Sequence, residues 1–81
     1  MDTLSGFTVF TKVVETGGFS AAARELNMSK SAVSKHIAKL EDRLGVRLLN
    51  RTTRKLSPTE VGTDFYERAL RIVQDVEETE Q

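Results

Sequence analysis

Apolar residues recur at steps of three and four along nearly the whole 81-residue chain, the spacing that gathers them on one side of an α-helix. Leu4, Phe7, Phe10 and Val14, with Val13 beside them, predict a first helix that Gly17 and Gly18 bring to an end. Phe19 then enters the core. Ser20 stands as N-cap of a short helix from Ala21 to Leu26, whose three consecutive alanines combine helix propensity with little bulk and let a neighbouring helix approach. Asn27 and Met28 make a tight turn, and Ser29 caps a third helix running to about Leu44, where Gly45 supplies a left-handed terminus. Two short helices joined so closely give helix-turn-helix geometry. At about 100° per residue, Val33, Ile37, Leu40 and Leu44 share a narrow core arc, with Ser31, Ser34, Lys35, Ala38 and Asp42 roughly opposite.

Beyond Gly45 the period changes. Val46, Leu48, Leu49 and Leu56 flank Asn50-Arg51-Thr52-Thr53-Arg54-Lys55, a short two-stranded ribbon with a basic tip, in other words a wing. Ser57-Pro58-Thr59-Glu60 then offers two helix starts, one capped by Ser57 with proline at the first helical position, the other capped by Thr59. Phe65, Ala69, Ile72 and Val76 form a heptad-like seam, widened by Tyr66, Leu70 and Val73, on a helix that would be about 33 Å long from Glu60 to the end. So much apolar surface on so long a helix is expected to pack against a partner subunit; the alternative is that it folds back on its own domain. The fold class is mainly α, a winged helix-turn-helix of three helices and a two-stranded wing followed by a long helix.

Charge sharpens this picture. The chain sums to zero, with 12 basic and 12 acidic residues, yet nine of the bases and only three acids lie between Arg24 and Lys55, a local charge of +6. The remainder carries the compensating acids, concentrated at Asp75, Glu77, Glu78 and Glu80. Such asymmetry reads as one face for a polyanion. Composition bounds the rest. The length allows one small domain; the absence of cysteine excludes disulfides and thiolate metal sites; the N-terminus has no secretory pattern, and no apolar run approaches a membrane span. A single histidine, His36, and no glycine-rich phosphate loop or carboxylate cluster in an apolar setting argue against an enzyme, and no cofactor or metal is expected. His36 reads as a partly exposed packing or phosphate residue.

The free face at the start of the third helix bears Lys30, Ser31, Ser34 and Lys35, short or flexible side chains that allow the helix end into a major groove about 12 Å wide. That end also offers unpaired N–H groups and a partial positive charge to phosphate, with the Ser29 and Ser31 hydroxyls as further donors. A solvated polar surface is the plain alternative for the stripe, and surface pairing of Arg47 and Arg51 with Glu41 and Asp42 the plain alternative for those arginines. In the wing, Arg54 is the preferred contact over Arg51.

Phe19 to Ser29, Ala32 to Ile37, Leu40 to Leu49, Arg51 to Arg54 and Thr59 to Gly62, taken in order and spacing, resemble the N-terminal winged helix-turn-helix of LysR-type transcriptional regulators over nearly the whole chain. The resemblance implies a third helix that reads the major groove, a wing at the minor groove and backbone, and a long linker helix that pairs with its mate. By position, Lys30, Ser31, Ser34 and Lys35 become base-reading candidates and Arg54 the wing contact; Ser29, Arg51, Thr53 and Lys55 join Arg54 as wing or backbone candidates, and Phe65, Ala69, Ile72, Val73 and Val76, from the apolar seam, are the expected dimer interface. The resemblance favours Thr59 as the last helix cap. Two departures from the common family pattern stand out: Lys30-Ser31 replaces the Gln-Pro of many members, and Lys35 replaces arginine, so a point charge stands where a planar fork would read guanine. The expected division is a DNA-binding unit over 1–58 and a linker helix over 59–81, with the C-terminal effector domain of such regulators absent. Expected partners are double-stranded DNA bearing an interrupted palindrome and a second copy of the chain, with higher oligomers in a full-length protein, in the cytoplasm and without a membrane. The main rival is a winged helix used for protein contacts or dimerisation alone.

Overall fold

A computed structural model describes residues 3–51 and 56–80. The order is α1 (Thr3–Thr16), α2 (Phe19–Leu26), α3 (Lys30–Leu44), β1 (Leu49–Arg51), β2 (Leu56–Pro58) and α4 (Glu60–Glu80). The strands are antiparallel, with Leu49 opposite Pro58, Asn50 opposite Ser57 and Arg51 opposite Leu56. This is the expected winged helix-turn-helix with its long terminal helix; the wing tip, residues 52–55, lies outside the described residues.

Local chemistry accounts for each junction. At the end of α1, Gly17 takes φ +82° and its N–H reaches the Val13 carbonyl, while the Thr16 hydroxyl donates to Lys12 O at 2.9 Å. Helix α2 begins two residues earlier than the sequence suggested. Gly18, with no side-chain bond, is the cap in place of Ser20, and the Ala22 N–H closes the first turn on the Gly18 carbonyl. Starting at Phe19 lets that ring lie against the core while the Ser20 side chain stays exposed. Asn27 ends α2 at φ 57° and ψ 47°, a left-handed conformation that asparagine tolerates, and Met28 N–H donates to Ala23 O. An ion-pair pivot, Lys12 with Glu15 and Glu25 at 3.4 Å each, ties α2 to α1.

Phe10, Val13, Val33, Ile37, Leu48 and Leu49 are the largest fully buried side chains, closed over by Val9, Ala22, Ala23 and Leu40. Burial of Val33, Ile37 and Leu40 follows the angular reading of α3, but Leu44 does not: it is 40% exposed. The helix ends there at Gly45, and the chain turns away before anything covers that side chain. The polar group buried on this helix is Glu41 instead.

The last helix starts from Thr59, not Ser57. The Thr59 hydroxyl accepts from Gly62 N–H at 2.9 Å and donates to the Arg47 carbonyl at 2.7 Å, so one side chain caps α4 and fastens it to the segment entering the wing. Helix α4 then runs back along α1. Phe65 meets Phe7 and Phe10 edge-on, with ring centroids 5.3 and 5.5 Å apart, and Ala69 and Val73 are buried. Three of the five residues expected at a dimer interface, Phe65, Ala69 and Val73, are therefore covered largely by their own chain, as the fold-back alternative anticipates for that face. Val76 is half-buried, and Ile72 is 43% exposed. Among the described residues no helix is long and apolar enough to cross a membrane.

Candidate nucleic-acid interface

The N-terminal end of α3 is capped by one hydroxyl. Ser29 has extended backbone angles, and its hydroxyl accepts from Ala32 N–H at 3.0 Å while its carbonyl receives Val33 N–H at 3.1 Å. Only part of the first turn is satisfied in this way, leaving N–H groups directed outward. No acidic residue stands in that turn to offset the positive end of the helix dipole. The Ser31 hydroxyl lies 3.3 Å from that of Ser29. Lys30, Ser31 and Lys35 are exposed, Ser34 is half-buried, and among the described residues Lys30, Lys35 and Lys39 enter no ion pair. The four base-reading candidates thus share one helix end, presented by a core that holds the opposite side through Val33 and Ile37. A shallow depression lined by Ala23, Arg24, Asn27, Met28 and Ser29 adjoins this end and brings a sixth basic or hydroxyl side chain, Arg24, beside it.

At the other end of α3 one carboxylate is fully engaged. Glu41 is 9% exposed. One of its oxygens accepts from both Leu48 N–H (2.8 Å) and Leu49 N–H (3.2 Å), and the other accepts from the Arg51 guanidinium at 3.0 Å, with Arg47 at 4.0 Å. Arg51 also lies over the Phe19 ring, 5.6 Å from its centroid. Pairing of Arg47 and Arg51 with carboxylates, the plain alternative to DNA contact, takes the form of a hub on buried Glu41 alone; among the described residues no ion pair joins either arginine to Asp42. The clue in the sequence was positional, since Glu41 lies one helical turn beyond Ile37, on the flank of the buried arc.

Of the wing candidates, Arg51 is held in that hub, Ser29 serves as a helix cap, and Thr53, Arg54 and Lys55 lie outside the described residues. His36 turns toward α1 and α2, lining a cavity of about 290 Å³ with Leu4, Thr8, Val9, Leu26 and Met28. Its Nδ1 is buried without a hydrogen-bond partner, so packing is its observed role. The described residues contain no group of three or more His, Cys, Asp or Glu side chains arranged to hold a metal ion.

Comparisons with known proteins agree with this geometry. Residues 4–63 match the model of the "bacterial regulatory helix-turn-helix protein, lysR family". The chain is 56% identical over 69 residues to the HTH-type transcriptional regulator CrgA of Neisseria meningitidis, covering 85% of this chain and 23% of that protein. It is 52% identical to the HTH-type transcriptional activator AaeR of Escherichia coli, over 96% of this chain and 26% of the relative. The chain thus spans about a quarter of the length of these curated relatives. Among solved structures, it is similar to a complex of the BenM DNA-binding domain with catB site 1 DNA, at TM-score 0.91 and 33% identity over 98% of this chain and 87% of that one. It is also similar to a complex of the CbnR DNA-binding domain with DNA, at TM-score 0.88 and 33% identity over 98% of this chain and 90% of that one.

Proposed function

The chain belongs to the LysR family of bacterial regulatory helix-turn-helix proteins, and on that premise we propose that it binds double-stranded DNA sequence-specifically, with the first turns of α3 in the major groove. One observation carries the reading: a helix N-terminus without acidic residues in its first turn, bearing exposed Lys30 and Lys35, which form no ion pair among the described residues, beside Ser31 and Ser34. Lys35 supplies charge toward phosphate more securely than it reads a base, because an ammonium lacks the two-pronged geometry that matches a guanine edge. Ser31 and Ser34 are small enough to let the backbone approach. The wing contact assigned to Arg54, with Thr53 and Lys55, rests on sequence resemblance. Two similar domains bound to DNA support groove docking over a winged helix that serves protein contacts alone.

The reading unit is residues 1–58 and the linker 59–81, although α4 shares the core through Phe65 and Tyr66. A homodimer through α4 would set two copies of α3 about one helical turn of DNA apart, or a multiple of it, on an interrupted palindrome. On α4, exposed Ile72 and Val61 support that contact, with half-buried Val76 farther along. Relatives named as regulators, activators and repressors support a cytoplasmic regulator and not an enzyme.

The test is titration of a duplex selected from a random library at several salt concentrations. The expected outcome is a linear fall of log K with log salt, and a loss of about tenfold for Lys35→Ala with a slope smaller by about 0.9, the value of one phosphate contact. Binding insensitive to salt, or unaffected by Lys35→Ala, overturns the docking assignment.

A further inference from the structure

We propose that Glu41 is a positioning residue for the wing: its carboxylate fixes the direction in which β1 leaves α3, and it withdraws Arg51 from the DNA-facing charges. This rests on the DNA-binding reading above. Leu48 and Leu49, the residues at which the chain enters β1, are fully buried, and both of their N–H groups end on one oxygen of Glu41. Arg51, the last described residue before the wing tip, ends on the other oxygen at 3.0 Å. A single side chain on α3 therefore holds the strand at its root and at its far end. The Phe19 ring beneath the Arg51 guanidinium adds a third direction of restraint, from α2.

The same root is fixed from the opposite side. The Leu48 carbonyl accepts Thr59 N–H at 2.9 Å, and the Thr59 hydroxyl bonds the Arg47 carbonyl, so β1 cannot rotate away from α3 without breaking bonds to α4 as well. With the root fixed at two points and the end of the strand tied to Glu41, the angle between wing and reading helix is set by Glu41. Replacing its carboxylate by an amide would leave one acceptor oxygen and turn an N–H group toward the guanidinium, where two donors would oppose each other.

This assignment makes a sign prediction that simple electrostatics reverses. Glu41→Gln removes a negative charge and releases an arginine of the wing strand. If Arg51 were a phosphate contact waiting to be freed, binding would tighten and the salt slope would steepen. If Glu41 positions the wing, binding weakens, by about tenfold or more at fixed salt, although the protein has become more positive. The experiment compares wild type, Glu41→Gln and Arg51→Met on the selected duplex, together with amide spectra of the free proteins. The expected spectral result is that Leu48, Leu49, Asn50 and Ser57 shift in Glu41→Gln while Ser31 to Lys35 do not. Equal or tighter binding by a folded Glu41→Gln overturns the assignment. Should that variant fail to fold, Arg51→Met, which keeps an apolar stem over Phe19, takes its place: unmoved amides at Leu49 and Asn50 would overturn the proposal, and displaced ones would support it. A wild type that binds no duplex at all sinks the DNA-binding reading, an outcome distinct from either of these.

Discussion

The two ends of α3 both carry polar and charged side chains and treat them in opposite ways. Its first turns carry Lys30, Ser31, Ser34 and Lys35 with few internal partners; its last turns carry Glu41, whose carboxylate is saturated by two backbone N–H groups and an arginine. A charge left in water at one end is available to a ligand and adds little to stability. A charge buried at the other end is unavailable and costly to disturb, because removing any partner strands the rest. The contrast divides a 15-residue helix between scaffold and open surface: in the proposed reading, DNA contact falls on the end that the fold leaves unsatisfied.

The most damaging way to break this comparison is at the clamped end, through Gly62. A Cβ placed there would sit 2.0 Å from the Leu48 carbonyl oxygen and 2.9 Å from its carbon, backbone atoms that Glu41 and Thr59 already hold in place. Neither can step aside. Gly62→Ala is expected to cost about 3 kcal/mol or more and to lower Tm by over ~10 °C, read by calorimetry or thermal circular dichroism. A loss below about 1 kcal/mol would mean that the α4 start and the wing root slide easily past one another, and the clamp would lose its meaning.

A smaller effect tests the free end. Ser29→Ala removes the acceptor for Ala32 N–H and should cost about 1 kcal/mol in a urea titration. The same change at Ser31, whose hydroxyl only approaches that of Ser29, should leave stability within about 0.5 kcal/mol. If Ser31→Ala proves as destabilising as Ser29→Ala, the first turn is part of the scaffold and the two ends of α3 are less different than their bonding suggests.

Much of this was legible in the residues, for reasons that also mark where legibility stops. Helices α1, α3 and α4 follow from apolar spacing and from caps that use a side chain, Ser29 and Thr59, or a left-handed glycine, Gly17 and Gly45. The start of α2 was misread because Gly18 caps by backbone alone and leaves no chemical sign, whereas Ser20 resembles a cap and is not one. Glu41 escaped because a carboxylate on the edge of an apolar arc looks like surface until its partners, seven to ten residues onward, fold over it. The seam on α4 was visible, but periodicity does not say who covers it. Phe7 and Phe10 approach it only once α4 folds back along α1, which is a tertiary fact. At the start of α3 the exposure of Lys30, Ser31 and Lys35 was legible because it needs no long-range partner.

The smallest expected effect comes from pH, and it arises away from both ends of α3. On α1, Lys12 holds its proton above the usual lysine range because of the charge of Glu15, against a partial opposing effect of burial, with Glu25 adding to the rise. Tyr66, on α4, is pushed above the ordinary tyrosine value of 10.0 mainly by burial and then by Glu15, with Lys12 pulling the other way. Both shifts have the same consequence for stability. The folded chain keeps these protons to higher pH than the unfolded chain does, so stability is intact below about pH 10 and falls as pH rises through the raised folded values. Urea midpoints measured from neutral to strongly alkaline pH should decline above about 10, and Tyr66→Phe should flatten the decline by removing one of the two groups. An identical decline in Tyr66→Phe would assign the whole alkaline loss elsewhere, while a rise in stability would contradict the direction of both shifts. Below that limit, the order of the two ends of α3, Gly62→Ala well below Ser29→Ala in stability, should hold unchanged, since Lys12 and Tyr66 take no part in either the cap or the clamp.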